Sequence, residues 1–245
     1  MTVNDIQTLS IKDIVTQNFH AAAIFEKYSL DFCCRGGKTI HAACEEKKID
    51  SNSVIVELAV LENDHTQSGI RFAEWEPDFL INYIVQNHHA YVTKMTPILY
   101  THTQKIAAMH GSNHPEVIQI AKHFETVAVE MQQHMKKEEE VLFPFINALF
   151  TAKKTNRFDL IPQFGSVQNP IRMMELEHQH AGDEMFAIRS LSNYYSLPED
   201  ACTTYRVTYQ ELQDFEVDLH RHVHLENNIL FPNAVKMEKE LPLKN

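Results

Sequence analysis

The phrase His134-Met-Lys-Lys-Glu138-Glu-Glu-Val-Leu-Phe-Pro144 returns downstream as His222-Val-His-Leu-Glu226-Asn-Asn-Ile-Leu-Phe-Pro232. A histidine, a glutamate four places on, and Leu-Phe-Pro stand at the same offsets, so the fold must use one local structure twice. Both copies extend an apolar stripe at helical spacing. Ile120, Phe124, Val127 and Met131 lead to His134 and Glu138 before Leu142, and Leu212, Phe215 and Leu219 lead to His222 and Glu226 before Leu230. Ile171 and Met174 lead likewise to His178, then to Ala181, Met185 and Ile188. Ile81, Val85, Val92 and Leu99 bracket His88 and His89, which both fit the stripe. Polar groups therefore occupy positions that periodicity assigns to a core.

From residue 77 onward the pattern predicts four long helices. The first opens at Pro77 and Asp78 and runs to about Gly111 with a kink at Pro97, and the second runs from near Pro115 to about Phe150. A polar loop holding Lys153, Lys154, Asn156 and the stretch from Pro162 to Gly165 follows. The third helix spans about Pro170 to Tyr195, and the fourth starts at Pro198-Glu199-Asp200 and fades after Lys236. Each Leu-Phe-Pro reads as packing plus a helix kink or stop, since proline removes a backbone hydrogen bond. The expected fold is all-α, an up-down-up-down four-helix bundle over 77–240 preceded by a small helical amino-terminal domain over 1–65. Asn63 to Gly69 is the expected linker, and Ser10 and Asp50 are expected caps.

Thirty-three acidic residues against 22 basic ones give a formal net charge of -11, which argues against nucleic-acid and anionic-membrane partners. No apolar run reaches the roughly 18 residues of a membrane span. The amino terminus lacks a cationic, apolar leader, so a cytoplasmic protein is expected, with small molecules or other proteins as partners. Four cysteines do not make a disulfide framework in a chain this size. Two of them, Cys33 and Cys34, lie in Asp31-Phe-Cys-Cys-Arg-Gly-Gly-Lys-Thr-Ile40, which suggests reactivity or metal contact. Arg35, Lys38 and a helix opening after the Gly-Gly turn are expected to lower a thiol pKa there. The blander reading is a pair of small buried hydrophobes.

Forty-five residues separate His89 from His134, and 44 separate His178 from His222. The bundle thus reads as one helical hairpin used twice, with a lone core histidine on its first arm and His-x-x-x-Glu on its second. Residues four apart share a helix face, so four imidazoles and two carboxylates can converge. Burying two unpaired carboxylates would cost on the order of tens of kcal/mol by ideal solvation arguments. No lysine or arginine stands on these stripes, whereas two divalent or trivalent metal ions would remove the penalty. Nitrogen and oxygen donors without thiolate favour iron or manganese over structural zinc. Lys136, Lys137, Glu139 and Glu140 read as a solvated face, and His102, His110, His114 and His123 lack the ligand geometry.

The segments N82-Y-I-V-Q-N-H-H89, H134-M-K-K-E-E-E-V-L-F-P144, M174-E-L-E-H178 and H222-V-H-L-E-N-N-I-L-F-P232, with D31-F-C-C34 ahead of them, closely resemble the RIC (repair of iron centres) iron-sulfur cluster repair proteins. The resemblance covers nearly the whole chain and implies a hemerythrin-like bundle behind a small amino-terminal module. It implies two non-haem iron ions, oxo- or hydroxo-bridged and spanned by carboxylates, with His89, His134, Glu138, His178, His222 and Glu226 as ligands. It favours His89 over His88, while His88, His180 and His224 stand close enough to remain alternative ligands. It makes Glu177 an acidic residue beside the centre and a candidate proton relay, and gives Cys33 and Cys34 a functional role. The implied activity is repair of clusters damaged by nitric oxide or peroxide, through iron delivery or through reduction of nitric oxide to nitrous oxide. Iron-sulfur proteins would be the clients, nitric oxide and oxygen the small ligands, and a homodimer the assembly. The alternative is a hemerythrin-like protein that binds or senses oxygen or nitric oxide.

Overall fold

A computed structural model of the chain describes residues 3–63, 70–156 and 164–241. Five short helices come first: α1 (Val3–Thr8), α2 (Ile11–Gln17), α3 (Ala21–Lys27), α4 (Ile40–Lys47) and α5 (Ser51–Asn63). The capping residues set their starts. Ser10 Oγ accepts the Asp13 amide at 3.4 Å, Thr39 Oγ1 accepts the Ala42 amide at 3.4 Å, and Asp50 Oδ1 accepts the Asn52 amide at 3.0 Å. Residues 64–69 of the expected linker lie outside the described residues, as does Pro162 of the expected polar loop.

The long helices follow, and three of them contain a π turn. The first comprises α6 (Pro77–Tyr83), a π turn at Ile84–His89 and α7 (Ala90–His110), with Pro97 inside. The second comprises α8 (Glu116–Lys137), a π turn at Glu138–Leu142 and α9 (Phe143–Thr155). The third is α10 (Gln168–Leu191). The fourth comprises α11 (Thr203–Leu225), a π turn at Glu226–Leu230 and α12 (Phe231–Glu240). The chain is all-α, and among the described residues no helix is long and apolar enough to cross a membrane.

Of the kink and the stop expected at Leu-Phe-Pro, the π turns leave no stop. Pro144 and Pro232 are the second residues of α9 and α12, where the wider turn before them has already broken the i to i−4 ladder. A missing N–H is tolerated at that point, so the helices run on to Thr155 and Glu240. Lys153 and Lys154 consequently close α9 rather than a loop, and a left-handed Asn156 (φ 53°) caps it. The fourth helix starts later than expected, at Thr203, because Glu199 and Asp200 form a turn closed by the Ala201 amide on the Pro198 carbonyl. In the first helix the π turn buries Ile84 in place of the expected Val85.

The chain divides into two compact units: Met1–Leu80 with His220–Asn233, and Ile81–Leu219 with the carboxy-terminal stretch from Ala234. Within the first, Ile14, Phe25, Phe32 and Leu58 are buried, and Phe72 meets Phe19 and Trp75 edge-on. Within the second, α8 packs against both α7 and α10. Phe215 of α11 meets Phe124 of α8 at 5.5 Å between ring centroids. The buried residues Ile120, Phe124, Val127, Met131, Leu212 and Leu219 are the expected stripes.

Helix α10 ends in an unusual turn in which Asn193, Tyr194 and Tyr195 all have positive φ (48°, 58° and 60°). Such a run is costly without glycine and needs holding in place. The Tyr195 hydroxyl donates to Glu216 Oε2 at 2.7 Å, and the same oxygen accepts Arg189 Nε at 2.9 Å. Glu216 is 2% exposed, so its removal strands a half-sequestered guanidinium and frees the turn. Glu216→Ala is expected to cost about 3 kcal/mol, read as a lower urea midpoint at unchanged slope.

Candidate metal centre

Three imidazoles of the second unit gather around Glu138, which is 0% exposed. His134 Nε2 lies 3.2 Å and His89 Nε2 3.4 Å from Glu138 Oε2, and His178 Nε2 lies 2.9 Å from His134 Nε2. Local structure explains the meeting. His134 and Glu138 are one helical turn apart, His89 closes one π turn and Glu138 opens another. The Phe143 ring of the first Leu-Phe-Pro stacks on His89 at 5.6 Å and 20°.

The far nitrogens of two rings are tied to carboxylates. His134 Nδ1 donates to Glu177 Oε2 at 2.9 Å, and Lys137 Nζ donates to Glu177 Oε1 at 2.5 Å. His89 Nδ1 donates to Glu139 Oε1 at 2.8 Å. A proton held on Nδ1 leaves the Nε2 lone pair pointing inward, the arrangement that metal-binding histidines use. The hydrogen bond from His134, then that from Lys137, holds the Glu177 carboxyl down to about 2. It therefore stays ionised as an anchor.

Distances test whether a cation fits. Donors about 2.1 Å from one ion stand about 3.0 Å apart at right angles and about 3.4 Å apart at the tetrahedral angle. The observed spacings of 2.9, 3.2 and 3.4 Å span that range, so donors placed this way can share a cation. Inward lone pairs on a fully buried carboxylate have the donor chemistry of a non-haem iron site.

The first unit carries the second phrase. His222 Nε2 lies 2.9 Å from Glu226 Oε1, both residues have no exposed surface, and Glu226 opens its π turn as Glu138 does. His224 faces elsewhere: its ring lies near Phe19 and Phe32, and Nδ1 accepts Asn228 Nδ2 at 3.0 Å. Burial pushes its pKa down to about 4, so it is neutral.

Six further histidines have other partners. His88 Nδ1 meets Asp218 Oδ1 at 2.9 Å, and His180 Nδ1 meets Glu130 Oε2 at 2.6 Å. His102, His114 and His123 pair with Glu211, Asp200 and Glu184, and His110 with Cys202. Sequence reasoning missed Lys137 and Glu139, which it placed on a solvated face. Their side chains are half exposed, and only three-dimensional placement reveals that each serves a buried ring.

At Cys33 the expected lowering of a thiol pKa does not hold. Cys33 is buried, and its thiol is pushed well above the ordinary range by the neighbouring Cys34 sulfur, by burial and by Asp31. Helix α4 does open after the Gly-Gly turn, at Ile40, but the groups next to the Cys33 sulfur are Cys34 and Asp31.

Comparisons with known proteins accord with this geometry. Residues 7–62 match the ScdA_N family, described as a domain of unknown function (DUF542), and residues 80–234 match the hemerythrin HHE cation binding domain. A "Probable iron-sulfur cluster repair protein" of Haemophilus influenzae is 32% identical, covering 88% of this chain and 91% of its own. "Iron-sulfur cluster repair protein ScdA" of Staphylococcus haemolyticus is 33% identical, covering 90% and 95%. "Iron-sulfur cluster repair protein YtfE" of Yersinia pestis is 29% identical, covering 89% and 92%.

Because Glu177 acts on the site through His134, Glu177→Ala is expected to weaken metal affinity about 10- to 100-fold, measured by competition with a chelator. Glu139→Ala should do the same through His89, and Glu140→Ala should change nothing.

Proposed function

The chain belongs to the iron-sulfur cluster repair family that joins an ScdA_N module to a hemerythrin HHE domain, and from that premise we propose that it repairs damaged iron-sulfur clusters using a di-iron centre. In this reading His89, His134, Glu138, His178, His222 and Glu226 would supply the imidazole and carboxylate donors for the iron. The observation that carries it is the inward-facing Nε2 of His134. With Nδ1 committed to Glu177, that lone pair faces both Glu138 and His178, an arrangement that a cation stabilises.

When bound, a reduced iron pair supplies two electrons and open positions for nitric oxide, or ferrous iron itself as cargo. The protein's own part is orientation and exclusion of water. Glu177 and Glu139 fix the ring planes of His134 and His89, and Lys137 steadies Glu177. Met131, Met174, Leu142 and Phe143 are buried and keep the second unit's interior dry. With its carboxyl held low, Glu177 is better suited to anchoring His134 than to storing a proton. Iron-sulfur proteins are the clients on this reading, with nitric oxide and oxygen as small ligands.

Anaerobically loaded protein is expected to contain two irons per chain and, once oxidised, to absorb in the near ultraviolet and visible. Less than one ion per chain would sink the di-iron reading. Glu138→Ala and Glu226→Ala should each lose the iron. The fully reduced, loaded protein should consume nitric oxide and release nitrous oxide; a loaded centre that turns over none would leave iron delivery as the function.

A further inference from the structure

We propose that Asp31, Cys33 and Cys34 form a second, sulfur-rich metal site that takes a divalent first-row transition ion and holds it loosely. Their donor atoms lie within 4.8 Å of one another. Two thiolates about 2.3 Å from a tetrahedral ion stand about 3.8 Å apart, and a thiolate and a carboxylate oxygen about 3.6 Å apart. Here Cys33 Sγ lies 3.7 Å from Cys34 Sγ and 3.3 Å from Asp31 Oδ1, so an ion enters with little movement. A disulfide would need about 2.05 Å between the sulfurs.

The loop is set in this shape before any ion arrives. The Cys33 and Cys34 amides donate to Asp31 Oδ1 at 3.0 and 2.9 Å. Gly36 lets the chain turn back on itself, because a Cβ there would sit 2.4 Å from the Phe32 carbonyl oxygen. From α11's continuation, Asn228 Nδ2 donates to the Phe32 and Cys33 carbonyl oxygens at 3.2 and 3.4 Å, and it also bonds His224. This second contact shows that the loop is held by an element remote in sequence as well as by its own turn.

Binding exchanges two S–H bonds for two metal–sulfur bonds, both protons pass to water, and no electrons move. With three protein donors and Cys34 only half-buried, the fourth position of the ion stays open to solvent or a client ligand. Ferrous iron as the natural occupant rests on the repair function proposed above; the site itself does not.

The test uses the full chain with Cys44 and Cys202 changed to Ser, reduced and free of oxygen, titrated with cobalt(II). A near-ultraviolet sulfur-to-cobalt band should grow to a plateau at one thiolate-bound ion per chain. Cys33→Ser and Cys34→Ser should each abolish it, and Asp31→Asn should weaken binding about ten-fold. Absence of the band in folded protein, or its survival in the double Cys33→Ser/Cys34→Ser variant, would overturn the proposal. Nitrogen and oxygen donors give no such band, so failure of the histidine–glutamate centre to load would leave this result standing, and the reverse holds.

Discussion

A carboxylate with no exposed surface, set against imidazole nitrogens, is the interaction on which the rest of this structure depends. Glu138 cannot remain ionised in an apolar bundle without a positive partner close by. The features around it follow from that demand. Two of the rings that face it are turned by carboxylates at their far side, Glu177 for His134 and Glu139 for His89. Those anchors sit near solvent, where their own charge costs little. Lys137 then neutralises Glu177 from outside, so negative charge is balanced in layers from the interior to the surface.

The repeated phrase encodes a turn as much as a set of ligands. In the second helix 134, 138, 142 and 146 are all buried, and in the fourth 222, 226, 230 and 234, so one line of buried side chains advances in steps of four where a 3.6-residue helix alternates three and four. A π turn absorbs the surplus and starts at the glutamate in both copies. Leu-Phe-Pro belongs to the same device. Proline is tolerated because the ladder is already displaced, and in the first copy the phenylalanine covers a histidine ring.

Much of this was legible in the sequence because periodicity reports burial directly. The four helices, their stripes, and the singular placement of His134, Glu138, His178, His222 and Glu226 all follow from which positions repeat at three and four. Periodicity could not choose between His88 and His89, since adjacent residues in a widened turn are both buried; only the partners, Asp218 for one and Glu138 for the other, separate them. It also could not show Lys137 and Glu139 serving buried rings, because a half-exposed side chain leaves no periodic trace. The thiol expectation failed for a related reason. Helix-end charge is readable from sequence, whereas the nearness of Cys34 and Asp31 to one buried sulfur is a matter of loop shape.

That loop bears on how the second phrase is supported. His220–Asn233 clusters in space with the amino-terminal helices, although the hemerythrin-type match runs to residue 234. The segment carrying His222 and Glu226 is therefore held in part by residues from outside that match. Asn228, two residues beyond Glu226 and within the same π turn, bonds the Phe32 and Cys33 carbonyls, while Phe32 packs on His220 and His224. A π turn has weaker internal bonding than the α-helix on either side, so it is the part of this helix most open to outside restraint. The small module is in this sense part of the support of the second His-x-x-x-Glu phrase, which gives a physical reason for the two domains to travel in one chain.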